Sequence, residues 1–113
     1  MQRLNSALYT VSPGETVTLT VQAIKVANFD GYVVEAVPQS PVSNTPRTYR
    51  FTVNKPAGAN VHSSMSYFFP DDAPDDAEYR VFLAGDQGGG TFNGPVVHKP
   101  DGIDHCDFSF RVE

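Results

Sequence analysis

The chain predicts an all-β fold, a single antiparallel β-sandwich of about seven strands with no disulfide. Three observations carry this expectation. Apolar and polar residues alternate in several short runs, the period of a half-buried strand. Turn signals built from Gly, Pro, Asn and Asp recur about every ten residues. No run keeps a helical period, and the 8 Phe and 5 Tyr favour strands. A length of 113 residues suits one domain, residues 1–113.

The elements follow in order. Ser6–Val11 reads as a first edge strand with Ala7, Tyr9 and Val11 on one face, and Pro13-Gly14 ends it in a turn. The clearest alternation comes next, with Val17, Leu19, Val21 and Ala23 set against Thr18, Thr20 and Gln22. Asn28–Gly31 is a turn in which Phe29 is placed to plug one end of the core. Tyr32–Val37 forms a third strand, and the charge on Glu35 selects Tyr32, Val34 and Ala36 as the inward set. The proline-containing stretch Pro38–Arg47 is a loop. Thr48–Val53 is a strand with Tyr49, Phe51 and Val53 inward. Asn60–Phe69 is a longer one, with Val61, Met65, Tyr67 and Phe69 on one side and His62, Ser64 and Ser66 on the other.

The acidic turn Pro70–Asp76 leads into a strand in which Tyr79, Val81 and Leu83 face inward and Phe82 is left outward. Gly85–Pro95 reads as a glycine-rich connection and Val96–His98 as a short edge segment. The last strand runs from Cys106 to Val112, with Cys106, Phe108, Phe110 and Val112 inward. The expected core therefore contains Val17, Leu19, Val21, Tyr32, Val34, Phe51, Val53, Tyr79, Val81, Leu83, Phe108 and Phe110.

Tyr79 opens its strand, so its ring can be buried while its hydroxyl takes a backbone group a few residues upstream. With Asp75 and Ala77 before it, this spacing resembles the tyrosine corner of immunoglobulin-like and fibronectin type III-like sandwiches. Ser12–Val21 similarly resembles the turn and second strand of that superfold. The resemblance implies that Val21 and Val81 stand where such domains carry their inter-sheet cysteine pair. It is a likeness of fold, without the cysteine pair or the tryptophan, and points to no particular family. It also implies that the loop at Phe29 and the glycine-rich loop lie at the same end, where many such modules bind.

Chemistry-bearing residues are sparse. A net charge of −5 argues against nucleic acid as a partner, and no apolar run is long enough for membrane insertion. The first residues, Met1–Ser6, carry no signal-peptide apolar stretch. Cys106 is the single cysteine, and its alternation places it in the core. His105 and Cys106 are strand neighbours and point to opposite faces, which argues against a transition-metal site with His98. The glycine-rich segment lacks the lysine and the helix of a phosphate loop, and Asp86 would repel phosphate. Ser63 and Ser64 beside His62 do not supply triad geometry within one strand.

The expectation is a noncatalytic module without cofactor, for protein–protein contact or spacing. It would be part of a larger extracellular or periplasmic protein and monomeric or weakly dimeric. A carbohydrate-binding module is the alternative, with Phe29, Phe82 and Phe92 as candidate sugar platforms. A calcium-binding sandwich using Asp71, Asp72, Asp75 and Asp76 is the remote one. The candidate ligand or partner surface is Phe29, Phe82, Asp86, Phe92 and Asn93.

Overall fold

In strand β2 (Thr16–Ile24), Val17, Leu19 and Val21 are fully buried and the intervening threonines are half-exposed, so the alternation read from the sequence is the alternation of the fold. The computed structural model describes residues 3–35, 40–44, 46–87, 91–101 and 105–113. Its other strands are β1 (Arg3–Val11), β3 (Gly31–Glu35), β4 (Ser43–Asn44), β5 (Arg47–Thr52), β6 (Asn60–Tyr67), β7 (Glu78–Gly85), β8 (Thr91–His98) and β9 (His105–Val112). One turn of 3₁₀ helix, Lys99–Asp101, follows β8. The strands form a four-stranded sheet in the order β1-β9-β6-β3 and a five-stranded sheet in the order β4-β5-β2-β7-β8.

The two sheets enclose one apolar core. Val17, Leu19, Val21, Phe51, Val53, Tyr79, Val81 and Leu83 are all buried in it, as expected. Val33, Val61, Met65, Tyr67, Cys106 and Val112 line the opposing sheet. The side chains of Val34, Phe108 and Phe110, also expected there, lie outside the described residues.

Several expectations are corrected. Tyr32 is 54% exposed, whereas Val33 is buried opposite Met65 in the β3–β6 ladder. Three successive residues of β3 are apolar or aromatic, so its pattern left the face open, and Glu35 is merely the strand's last residue. Val21 and Val81 are not an inter-sheet pair. They are register partners on β2 and β7, neighbours in the same sheet. The glycine-rich connection is shorter than read, because Thr91–Pro95 already belong to β8. Pro95 is tolerated there because β8 is an edge strand whose register against β7 shifts between Arg80 and Phe82. Among the described residues all ladders are antiparallel except β1 with β9, which run parallel. A parallel pair needs a long crossover, and here nearly the whole domain supplies it. The edges β1 and β8 approach each other along one side of the sandwich.

The two loops expected to share an end sit at opposite ends. Thr16, at the start of β2, is bonded to Asp86 beyond the end of β7, while Ile24 at the far end of β2 pairs with Glu78. Phe29 follows Ile24 and therefore lies at the other end from the β7–β8 hairpin loop.

At the Phe29 end, Tyr79 is the hub. It is fully buried, donates its hydroxyl to the carbonyl of Phe68 at 2.9 Å and accepts the amide of Asp30 at 3.3 Å. Its ring stacks on Phe69 at 4.4 Å and meets Phe29 and Tyr67 edge-on at 5.1 and 5.8 Å. One phenol thereby ties together the β2–β3 turn, the end of β6 and the start of β7.

Candidate binding surfaces

The residues selected from the sequence do not converge. Phe29 is 4% exposed, wedged between Tyr79 and Arg47, whose guanidinium carbon lies 5.7 Å from the ring centroid. It plugs the core, as expected of its position, and offers no flat ring to a sugar. Phe82 is outward, as the alternation demands, but half-buried between the registers of Thr20 on β2 and Asn93 on β8. Asp86 is exposed, and its carboxylate accepts the amide of Thr16 at 3.0 Å, which closes the end of the β2–β7 ladder. Phe92 pairs with Leu83 through the backbone, and the side chains of Phe92 and Asn93 lie outside the described residues.

The acidic turn is held by lysines. Lys99 donates its ammonium to the carbonyls of Asp71 and Ala73, and Lys25 pairs with Asp76. That pairing lowers the Asp76 pKa from its ordinary value. The backbone closes locally, Ala73 to Pro70 and Ala77 to Pro74. Among the described residues no group of three or more His, Cys, Asp or Glu is arranged to hold a metal ion.

The three histidine and cysteine positions are separated by the fold. His98 bonds Glu78 at 2.8 Å in the five-stranded sheet. Cys106 is fully buried in the core, its thiol 3.8 Å from the Tyr67 hydroxyl. Burial raises the thiol pKa to about 11, with the hydroxyl of Tyr67 working against the shift and the carboxylate of Asp107 adding to it. Such a thiol is almost wholly protonated near neutrality and is a poor nucleophile.

His105 faces the other way, onto the outer surface of the four-stranded sheet, where it joins a polar chain that no local motif announces. Three cross-strand pairs build it: His62 with Ser109, Ser64 with Asp107, and Ser66 with His105. Ser66 Oγ is hydrogen-bonded to His105 Nδ1 at 3.1 Å, and His105 Nε2 to Asp107 Oδ1 at 3.2 Å. His62 Nε2 lies 3.5 Å from the same carboxylate oxygen, and Ser109 Oγ 3.5 Å from His62 Nδ1. The result is a Ser–His–Asp–His–Ser relay across β6 and β9, its central carboxylate and His105 nearly shielded from water.

Two exposed aromatic rings border this relay. Tyr32 is the register partner of Ser66 and is 54% exposed. Phe68 is 59% exposed and extends the same ladder through its amide bond to Asp30. The alternation in the sequence predicts Tyr32 inside and assigns Phe68, within the expected strand Asn60–Phe69, to no surface. The signal it lacked was the register, which sets Tyr32 beside Ser66 rather than beside Met65. Comparison with known proteins finds no family model, no curated protein and no solved structure that matches the chain.

Proposed function

We propose that this chain is a noncatalytic, immunoglobulin-like module that contacts a protein partner through the outer face of its four-stranded sheet. The observation that carries the reading is the pairing of two exposed aromatic rings, Tyr32 and Phe68, with the ordered polar relay beside them. Aromatic rings of this kind supply large contact area at small entropic cost, and pre-bonded polar groups next to them need little reordering on binding.

The strand order supports the immunoglobulin-like part. In such domains one sheet runs C-F-G and the other A-B-E-D. The order β3-β6-β9 corresponds to C-F-G, and β4-β5-β2 to D-E-B. The β7–β8 hairpin is then an insertion between the last two strands of the first sheet, docked on β2 in the second, in the place of the A strand.

The relay contains the residue types of a catalytic triad, yet its setting argues against acyl transfer. β6 is a central strand laddered on both sides, which leaves no row of free amides beside Ser66 to act as an oxyanion hole. One carboxylate also serves two imidazoles. A photo-crosslinking residue placed at position 32 tests the contact in an extract of the source organism, with Thr18 on the opposite sheet as control. A discrete protein adduct from position 32 and none from position 18 supports the reading. Absence of any adduct from positions 32 and 68 removes it.

The same two rings favour carbohydrate as the second reading, because exposed aromatic faces beside hydroxyl and imidazole groups are what a sugar ring needs. Affinity electrophoresis on a panel of polysaccharides separates the two. Retardation that Tyr32→Ala abolishes selects the sugar.

A further inference from the structure

Arg47 opens β5, and its register partner is Val21, an inward residue of β2. The alternation Arg47, Tyr49, Phe51 therefore carries an arginine onto the core side of the sheet, at the open end of the sandwich. There it lines a cleft of about 220 Å³ between the end of β2, the turn through Asn28 and Phe29, and the β4–β5 turn. Phe29 supports the guanidinium from one side, at 5.7 Å from ring centroid to guanidinium carbon. The Nε of Arg47 is buried and has no hydrogen-bond partner. Lys25 pairs with Asp76, Arg80 with Glu78 and Arg111 with Glu113, whereas no acidic residue pairs with Arg47 among the described residues.

We propose that this cleft is a binding site for a carboxylate group, received by the guanidinium of Arg47 and flanked by Asn28 and Asn44. A guanidinium presents its N–H groups in a plane, and its two terminal nitrogens match the two oxygens of a carboxylate. Phe29 holds the plane of the fork, so little rotamer freedom is lost on binding. Val21, Ala23 and Ala27 form apolar walls that accommodate a short aliphatic stem behind the carboxylate. The net charge of −5 works against anions at long range, so recognition here is a short-range contact and not steering. The site is at one end of the sandwich, formed by other residues than the outer-face surface, and does not rest on it.

The test is a titration of the ¹⁵N-labelled protein followed through the arginine Nε–H and the asparagine side-chain amide resonances, at low ionic strength. The probes are acetate, acetamide, N-acetyl-glycine with a free carboxylate, and its amide. Acetate and N-acetyl-glycine are expected to move the Arg47, Asn28 and Asn44 resonances saturably, and the two uncharged amides to leave them in place. Tighter binding of N-acetyl-glycine than of acetate assigns the site to a peptide carboxylate. Equal binding assigns it to small organic acids. Arg47→Met should abolish the saturable shifts. Arg47→Lys, which keeps the charge and the fold but not the fork, should weaken them about ten-fold or more. Shifts that never saturate, that appear equally at the exposed Arg50 and Arg111, or that persist at Asn28 and Asn44 in Arg47→Met would overturn the proposal.

Discussion

The hydroxyl of Tyr79 donates to the carbonyl oxygen of Phe68 at 2.9 Å across the junction of β6 and β7. It also accepts the amide of Asp30, so a single side-chain oxygen satisfies a part-buried donor and a part-buried acceptor from two loops. Tyr79→Phe keeps the ring stack on Phe69 and removes both bonds. The expected loss is about 1 kcal/mol or more, because two part-buried partners lose their hydrogen bonds. Urea unfolding of the two proteins measures it, with a lower midpoint and an unchanged slope. An unchanged midpoint would mean that water replaces the hydroxyl.

Alkaline pH should destabilise the fold through two buried acids. The Cys106 thiol ionises near 9 when unfolded and near 11 when folded, the shift arising first from burial. Between those values the unfolded chain binds fewer protons than the folded one, so stability falls as pH rises, and the thiol's contribution is present in full only below pH 9. Tyr79, whose pKa burial also raises, adds the same sign of dependence above pH 10. Unfolding free energies measured from pH 8 to 11 should slope downward, and Cys106→Ala should flatten the first part of the slope. In the native protein at pH 8, a thiol reagent should modify Cys106 only as fast as the chain unfolds.

Gly31 cannot carry a side chain. A Cβ there would lie 2.1 Å from the carbonyl oxygen of Ser66 and 2.7 Å from the tip of the Phe29 ring. The oxygen belongs to the β3–β6 ladder and cannot give way, so either β3 separates from β6 or Phe29 leaves its place against Tyr79. Gly31→Ala should cost roughly 2–3 kcal/mol or more. Its near-ultraviolet circular dichroism should lose the signal of the packed aromatic cluster, whereas a change confined to the melting temperature would place the strain elsewhere.

Glu15 is 1% exposed, in the turn between β1 and β2. One carboxylate oxygen accepts the amide of Ser12 at 2.8 Å and the other has no partner. Glu15→Ala removes the acceptor and should cost about 1–3 kcal/mol. Glu15→Gln keeps an oxygen in that place and should recover much of the loss. Thermal unfolding of the three proteins orders them, and a glutamine variant as weak as alanine would show that the charge itself is needed.

The elements legible in the chain are those whose information is local. The alternation of Val17, Leu19 and Val21, of Tyr49 and Phe51, and of Tyr79, Val81 and Leu83 named inward faces correctly, and a tyrosine at the head of its strand with an upstream carbonyl for its hydroxyl followed from simple hydrogen-bond need. A two-residue period reports which way each side chain turns, but it says nothing about which strand lies alongside. Pairing partners here are tens of residues apart: β7 joined β2 and brought Val81 beside Val21, β1 ran parallel to β9, and the relay through His62, Asp107 and His105 formed only because β6 and β9 meet in one register. Arg47 shows both halves at once. Its place on the inward face continues a pattern visible in the chain, but its unpaired guanidinium over Phe29 exists because β5 stops beside Val21 at the end of the core, a matter of long-range register that no neighbouring residue records.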